Sequence, residues 1–294
     1  MIGWTRLVSK EGELLEEDYI KITPEMWRHC VSPGANSLDF LILLIEKSYT
    51  NYLNKQKNNL QFVTKSIVNP PFVVAVTGSV ASGKSTLSKK LKLALQEKYG
   101  NDNVDLVSMD GFIMSNAELD DKGLMSQKGF PSSFKWDAIV NFLTEIKRRR
   151  PQVPYRLYSQ TISDLVPDKI AYVKQPDILL VEGINLLQTY GKQKVLTDFI
   201  DFSIYLDADE SLLESWFMDR FHQLLVVNAN SPDNFFYRWV KMPTAEADRL
   251  AHQVWRDVNL KNLHEYILPS KERADLIVKK CRDHIMTDFY IKKY

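Results

Sequence analysis

The sequence predicts an α/β fold, a mainly parallel sheet between layers of helix, entered through a helical N-terminal extension. Three observations predict it. From residue 72 onward, short apolar runs of buried-strand type alternate with longer helical stretches, the pattern of a parallel sheet covered on both faces. A glycine-rich octet, residues 78–85, stands between the first such run and the first such helix. Residues 1–70 read as mainly helical and end at Pro70-Pro71, which stops a helix and introduces the next unit. The 294 residues are therefore expected to form one domain, with the extension over 1–70 and the core over 71–294.

In chain order, Ser37 precedes Leu38, Phe40, Leu41, Leu44 and Ile45, spaced for one helix face. The polar stretch Asn54 to Asn59 reads as the end of that helix or an exposed connection. Strands are expected at Phe72 to Val76, Val104 to Met109, Ile178 to Val181, Phe202 to Leu206 and Leu276 to Val278. Helices are expected at Ser85 to Tyr99, Trp136 to Arg149, Ser211 to Leu224, and Ala245 to about Leu263. Ser211 and Glu214 have the spacing of a capping box for the third of these. Residues 228–243, rich in Asn and Pro, read as a loop whose aromatics contact something apolar.

Composition excludes several classes. With 45% hydrophobic and 26% charged residues, the chain is ordinary for a soluble globular protein. A net charge of +1 gives no global case for nucleic acid or an anionic membrane. The basic run Lys147 to Arg150 ends a predicted helix, where cations suit the negative end of the dipole. Two cysteines, Cys30 and Cys281, make neither a disulfide framework nor a zinc site. Arg6, Lys10, Glu11 and Glu13 interrupt the N-terminus, so it does not read as a signal peptide, and no apolar run is long enough to span a bilayer. The expected location is cytoplasmic.

The octet and its neighbour, Gly78-Ser79-Val80-Ala81-Ser82-Gly83-Lys84-Ser85-Thr86, fit G-x-x-x-x-G-K-[ST], a phosphate-binding loop. Gly78 and Gly83 let the backbone turn and aim N–H groups at phosphate oxygens, while the helix that follows adds its positive end. Lys84 is expected on the β- and γ-phosphates and Ser85 on Mg²⁺. Chance would produce the pattern on the order of once in a hundred chains of this length, and the strand and helix around it lower that further. ATP and Mg²⁺ are the expected cofactors. At the next strand end, Asp110 is placed to accept the proton of an attacking hydroxyl. Glu182, at the end of another, is placed to hold Mg²⁺ or its water. Arg220 is a candidate for stabilising the transferring phosphoryl group. No N-K-x-D guanine motif is present, and Leu268 stands where a zinc-protease helix beginning at His264-Glu265 needs its second histidine.

Further stretches carry the reading beyond the generic motif: Asp110-Gly111-Phe112, Gly123-Leu124-Met125, Lys128-Gly129-Phe130-Pro131, Tyr158-Ser159, Gln175-Pro176-Asp177-Ile178, Glu182-Gly183, Asp201 to Tyr205, Arg220-Phe221, Ile267-Leu268-Pro269 and Arg273-Ala274. Tyr19 and Trp27 add to them in the extension. With these the chain resembles type I bacterial pantothenate kinase, within the phosphoribulokinase and uridine kinase group, from about Tyr19 to Ile277. The resemblance implies a P-loop kinase three-layer sandwich that transfers phosphate from ATP to pantothenate, the first step of coenzyme A synthesis. It also implies a homodimer and feedback by coenzyme A at a site overlapping that of ATP. Asp110 then resembles the base, Lys84 and Arg220 the phosphate-stabilising cations, and Tyr158 and Asn259 pantothenate contacts. Phe236 is family-like beside Trp239, which replaces a tyrosine over the pantothenate tail.

Other departures fall in the same region. Gln160 stands where the family has histidine, and Phe217 where it has a pantothenate-contacting tyrosine, a loss of one hydrogen bond of about 0.5–1.5 kcal/mol. Lys89 and Leu224 replace arginine and phenylalanine near the coenzyme A site, and lysine lacks arginine's bidentate fork. Weak coenzyme A feedback is therefore expected. Pantothenate stands first as acceptor. A related hydroxyl compound such as a nucleoside is the alternative, and a catalytically weak nucleotide-binding regulator the second.

Overall fold

The computed structural model describes residues 18–60, 68–189 and 195–293. What the sequence suggests for residues 1–17 and 61–67 of the extension lies outside these. The elements are β1 (Tyr19–Ile22), α1 (Pro24–Arg28), α2 (Ser37–Leu60), β2 (Phe72–Gly78), α3 (Lys84–Tyr99), β3 (Val104–Ser108), α4 (Asn116–Asp121), α5 (Trp136–Lys147), β4 (Val153–Ser159) and β5 (Asp164–Val173). They continue with β6 (Ile178–Glu182), β7 (Phe202–Asp207), α6 (Glu210–Val227), α7 (Tyr237–Val240), α8 (Thr244–Val254), β8 (Leu276–Lys280) and β9 (Met286–Lys292). Among the described residues, seven strands form one sheet in the order β1-β9-β8-β7-β2-β6-β3. The pairs from β8 through β3 are parallel, and β9 and β1 are added antiparallel at the edge. All five strands expected from apolar runs are present.

Alternation along β2 builds the layers. Phe72, Val74 and Val76 join a core with Leu41 and Ile45 of α2 and Leu87, Leu91 and Leu95 of α3. Val73 and Ala75 point the other way, into a core with Ile139, Phe142, Leu143 and Ile146 of α5. Both faces of the sheet are thus apolar, which is why the strands read as continuous hydrophobic runs. No helix among the described residues is long and apolar enough to cross a membrane. Cys30 and Cys281 are free thiols.

Three features differ from expectation. The extension is not helix alone. β1 pairs with β9, and the Tyr19 hydroxyl donates to the Ala274 carbonyl at 2.9 Å. Four residues, of which Ile20 and Lys21 are exposed, give too short a pattern to register as a strand. Second, Val153–Val173 forms an antiparallel hairpin, β4 on β5, standing apart from the main sheet. Third, no capping box forms at Ser211 and Glu214. The helix starts earlier, at Glu210, with Asp209 at its N-cap, and Glu214 instead meets His252 of α8 at 2.8 Å. A reciprocal Ser–Glu box does occur at Ser115 and Glu118, opening α4. The basic run after α5 is neutralised by carboxylates. Lys147 pairs with Asp201, Arg149 with Asp177, and Arg148 and Arg150 with Glu145.

The extension is locked to the sheet edge by an aromatic trio. Phe289 of β9 is fully buried, with Phe40 of α2 edge-on at 4.9 Å and Trp27 of α1 at 6.4 Å. The Trp27 indole also donates to the Thr287 carbonyl at 3.1 Å. Phe289→Ala is expected to cost about 3–5 kcal/mol of unfolding free energy. Chemical denaturation followed by tryptophan fluorescence measures this, and an unchanged midpoint would remove the trio from its anchoring role.

Candidate active site

The loop expected at 78–86 joins β2 to α3 at the carboxyl edge of the parallel strands, the edge where ligands bind in such sheets. Ala81 and Gly83 take positive φ, 65° and 86°, which turns the loop back on itself before the helix starts at Lys84. The Lys84 ammonium is buried and donates to the Ser79 carbonyl at 2.6 Å, closing the loop around the space in front of α3. Ser79 and Ser82 are buried with it. Ser85 and Thr86 are exposed on the first turn of α3 and line a cavity of about 680 Å³ with Gly83, Lys84, Arg220, Lys280 and His284.

Sheet register brings the two acids to this loop. Val76 of β2 lies opposite Glu182 of β6, which lies opposite Ser108 of β3. Asp110 follows two residues on, in the short turn Met109–Phe112, where its N–H meets the Ser108 hydroxyl at 3.4 Å. Glu182 is buried. Burial and the nearby Glu182 carboxylate push the Asp110 carboxyl up to about 6, against the opposing pull of Lys84, Arg220 and Lys128. Burial lowers the Lys84 ammonium to about 8, although Glu182 and Asp110 hold it up. Arg220, exposed on α6, adds to both fields. Asp110, Glu182, Lys84 and Arg220, distant in sequence, therefore share one electrostatic site.

Of the expected acceptor residues, Tyr158 lies within the field of Asp110, and the others sit on elements with weaker sequence signatures. Tyr158, on β4, feels the Asp110 charge, and burial raises its phenol. Its hydroxyl lies 3.2 Å from Ser163 Oγ, and the Lys128 ammonium sits 5.3 Å from its ring centroid. Gln160 is exposed at the hairpin turn. The next residue, Thr161, accepts from the Phe235 N–H at 2.8 Å, so the hairpin tip is tied to the 228–243 segment. That segment is stitched internally. Asn234 Nδ2 donates to Asn228 Oδ1 at 2.6 Å, and Asn234 Oδ1 accepts from the Phe236 N–H at 2.8 Å. Phe236 and Trp239 pack with Phe217 against Met218, Phe221, Ala247 and Ala251. Asn259 lies where α8 continues as a widened π-helical turn, Trp255–Leu260, a form frequent at functional sites. Trp255 at the start of that turn packs against Phe217, the ring centroids 5.5 Å apart and the planes tilted by 39°.

Sequence reasoning missed four residues. Lys128 adds a third cation to the Asp110 field and is held by Asn116 Oδ1 at 2.7 Å and by Ser163. Trp216, Lys280 and His284 line the cavity beyond the loop, with the His284 ring stacked 3.9 Å from Trp216. No motif marks them. Lys128 belongs to the Lys128-Gly129-Phe130-Pro131 stretch, which was the available signal for one of the four.

The matches to known proteins agree with this geometry. Residues 73–221 match the Phosphoribulokinase / Uridine kinase family. The pantothenate kinase of Levilactobacillus brevis is 38% identical over 255 residues, covering 86% of this chain and 83% of that protein. The pantothenate kinase of Streptococcus pneumoniae is 41% identical over 233 residues, covering 79% of this chain and 76% of that one. The chain belongs to the pantothenate kinase family. Membership makes the loop a nucleotide-binding site, the protein a phosphotransferase and its acceptor a small molecule. Among solved structures, D-glycerate 3-kinase of Cryptococcus neoformans superposes with a TM-score of 0.54 at 14% identity, over 82% of this chain and 95% of that one, a likeness of fold.

One backbone approach holds this kinase site together. A Cβ on Gly111, the residue after Asp110, would lie 2.1 Å from the Arg156 carbonyl oxygen of β4. Neither partner is a flexible side chain, so Gly111→Ala must push the Asp110 turn and the hairpin apart. Loss of kinase activity by at least tenfold is expected, consistent with the sensitivity of in-line chemistry to small displacements, and activity at wild-type level would show that the hairpin is free to yield.

Proposed function

We propose that this chain phosphorylates pantothenate with Mg-ATP, forming 4′-phosphopantothenate at the entry to coenzyme A synthesis. The observation that carries this reading is Asp110. It is a recessed carboxylate raised to about 6, set between Lys84, Arg220 and Lys128 beside the phosphate loop, in a chain about 40% identical to pantothenate kinases over most of its length.

The residues assign the steps. ATP places its phosphates along 78–86, with the rest of the nucleotide in the cavity bounded by Trp216 and His284. The acceptor hydroxyl lies against Asp110. Its oxygen attacks the γ-phosphorus, the bond from that phosphorus to the β-phosphate's bridging oxygen breaks, ADP departs, and the proton passes to Asp110. Lys84 and Arg220 balance the charge spread over the transferring group. Ser85 and Glu182 fit Mg²⁺ as one exposed hydroxyl and one buried carboxylate. No group of three or more His, Cys, Asp or Glu among the described residues could hold a metal alone, so the remaining ligands would be nucleotide phosphates and water, as suits Mg²⁺. When bound, Mg²⁺ neutralises charge on the phosphates.

Tyr158, Gln160, Phe217, Phe236, Trp239 and Asn259 form the acceptor wall in this reading. Gln160 and Phe217 favour one second reading, a kinase of the same fold acting on another hydroxyl compound such as a nucleoside. A homodimer in the cytoplasm completes the proposal.

Two measurements test it. ADP release from ATP should depend on pantothenate, and Asp110→Asn should lower turnover by at least a hundredfold while ATP affinity changes only a few-fold. Because the base acts as carboxylate and its carboxyl is raised to about 6, kcat/KM should fall as pH drops below about 6, toward tenfold per unit. ATP binding without a response to pantothenate would shift the reading to the second acceptor class. Coenzyme A should inhibit weakly, because Gln160 and Lys89 are exposed substitutions that lose a histidine and a bidentate arginine. Inhibition as tight as that of the Streptococcus pneumoniae relative, assayed side by side, would contradict this.

A further inference from the structure

Gly129, the residue after Lys128, is held on both sides of its backbone. Its φ of 91° lies in the left-handed region, and its N–H donates to the buried Ser133 hydroxyl at 3.0 Å. Its carbonyl accepts from two side-chain amides at once, Asn185 Nδ2 at 3.1 Å and Asn262 Nδ2 at 3.0 Å. The two asparagines come from different parts of the site. Asn185 lies in the turn after β6, shortly beyond Glu182. Asn262 lies between two π-helical turns, Trp255–Leu260 and Leu263–Ile267, shortly beyond Asn259.

Stability alone does not account for this pair. Asn185 is fully buried and Asn262 is 3% exposed. An amide that faces a carbonyl must present its N–H₂ end, which turns its own oxygen away. Both amide oxygens are buried, and neither finds a hydrogen-bond partner among the described residues. An unsatisfied buried acceptor is destabilising, and one amide would already satisfy the Gly129 carbonyl. A leucine in place of either asparagine would remove an orphaned oxygen and leave that carbonyl bonded. What the second amide adds is direction, because a carbonyl held through both lone pairs cannot swing. The side chain next to it uses that. Lys128 is half-buried and belongs to the Asp110 field. Its ammonium is held by Asn116 Oδ1 of α4 at 2.7 Å and by Ser163 of the hairpin turn. With the backbone pinned at Gly129 and the tip pinned at Asn116 and Ser163, the whole lysine is fixed.

We propose that Asn185 and Asn262 are positioning residues for phosphoryl transfer: by fixing the Gly129 carbonyl they set where Lys128 stands against Asp110. The proposal rests on the reading of Asp110 as the base. Neither asparagine touches the reacting atoms in it. The clamp also joins the two halves of the site, since Asn185 follows the Glu182 strand and Asn262 follows Asn259. An acceptor seated on the π-helical turn and phosphates seated at the sheet edge then share one reference point, the Gly129 carbonyl. The two buried oxygens are tolerated for that alignment, a local rule broken at a functional site.

Kinetics and thermal melting of Asn262→Leu, Lys128→Met and the double variant, with pantothenate as acceptor, test this. Asn262→Leu should lower kcat/KM about ten- to a hundredfold, the scale of a small misplacement near in-line chemistry, and should melt at or above the wild-type temperature. Lys128→Met should lower kcat/KM comparably. The double variant should lie within about twofold of Lys128→Met, because the amide acts through the lysine. The low-pH fall in kcat/KM should begin at higher pH in Asn262→Leu than in wild type, since Lys128 is one of the cations that hold the Asp110 carboxyl down. A purely structural amide predicts otherwise: a lower melting temperature with kcat/KM unchanged, or losses that add in full in the double variant. Either result would overturn the proposal. If Asn262→Leu does not fold, Asn185→Leu carries the same test, and failure of both to fold overturns the proposal by making the amides structural. A wild-type protein that does not respond to pantothenate, or whose activity survives Asp110→Asn, would instead overturn the reading of the site, and this inference with it.

Discussion

From Phe72 to Gly78, β2 has no exposed residue, and both its edges are taken, by β6 on one side and β7 on the other. A strand shielded on both faces and both edges can offer chemistry only at its ends. Its carboxyl end is where the loop begins, so the phosphate site inherits the rigidity of the most buried strand of the sheet. The parallel register does the rest. Because Val76, Glu182 and Ser108 lie in one row across three strands, the residues that follow each strand arrive at one edge without any local motif to gather them. In-line phosphoryl transfer depends on positioning more than on covalent chemistry, and this row supplies the positioning.

Charge balance at that edge follows from the same burial. Burial and the Glu182 carboxylate disfavour ionisation of Asp110, while Lys84, Arg220 and Lys128 favour it, and the carboxyl comes to rest at about 6. A base with that value is ionised at neutral pH, yet takes a proton more readily than an ordinary carboxylate. Removing one cation would raise the Asp110 carboxyl further, since the fields of Lys84 and Arg220 reach it together. The site is therefore one coupled electrostatic unit, and the roles of single residues in it are differences measured against the rest.

The sequence made the parts of this arrangement with short-range signatures readable. The loop 78–86 is a contiguous motif, and the five buried parallel strands announce themselves as apolar runs because neither face meets water. Asp110 and Glu182 were found because each directly follows such a run. What escaped notice depends on partners far along the chain. β1 is four residues long and becomes a strand only through β9, far along the chain, with Tyr19 opposite Lys292 and Ile22 opposite Phe289. The β4–β5 hairpin carries Pro154, Pro167 and several exposed charges, so its alternation is broken on the outer face. Ser211 and Glu214 had the spacing of a cap, but Asp209 lies closer to the end of β7 and stops the chain first. Lys128, Trp216, Lys280 and His284 have no motif because folding alone gives them their neighbours.

The division between legible and illegible parts tracks the division of labour in the site. Phosphate chemistry sits on the sheet edge, fixed by backbone geometry and by Gly78 and Gly111, where a Cβ would meet the Leu206 and Arg156 carbonyl oxygens at 2.5 and 2.1 Å. The proposed acceptor wall draws on the hairpin, the α6 face, the stitched 228–243 segment and a π-helical turn, elements that meet through side-chain packing and a few hydrogen bonds such as Phe235 to Thr161. On that proposal, substitutions there, as at Gln160, Phe217 and Trp239, change the shape and donors presented to the acceptor without touching the row of Val76, Glu182 and Ser108 that leads into the loop and Asp110. A kinase built this way can alter what it phosphorylates while keeping how it phosphorylates. The constraint on the wall is then only that its apolar members continue to pack, and Phe217 against Trp255, and Trp239 against Phe221, satisfy it with the residues this chain has.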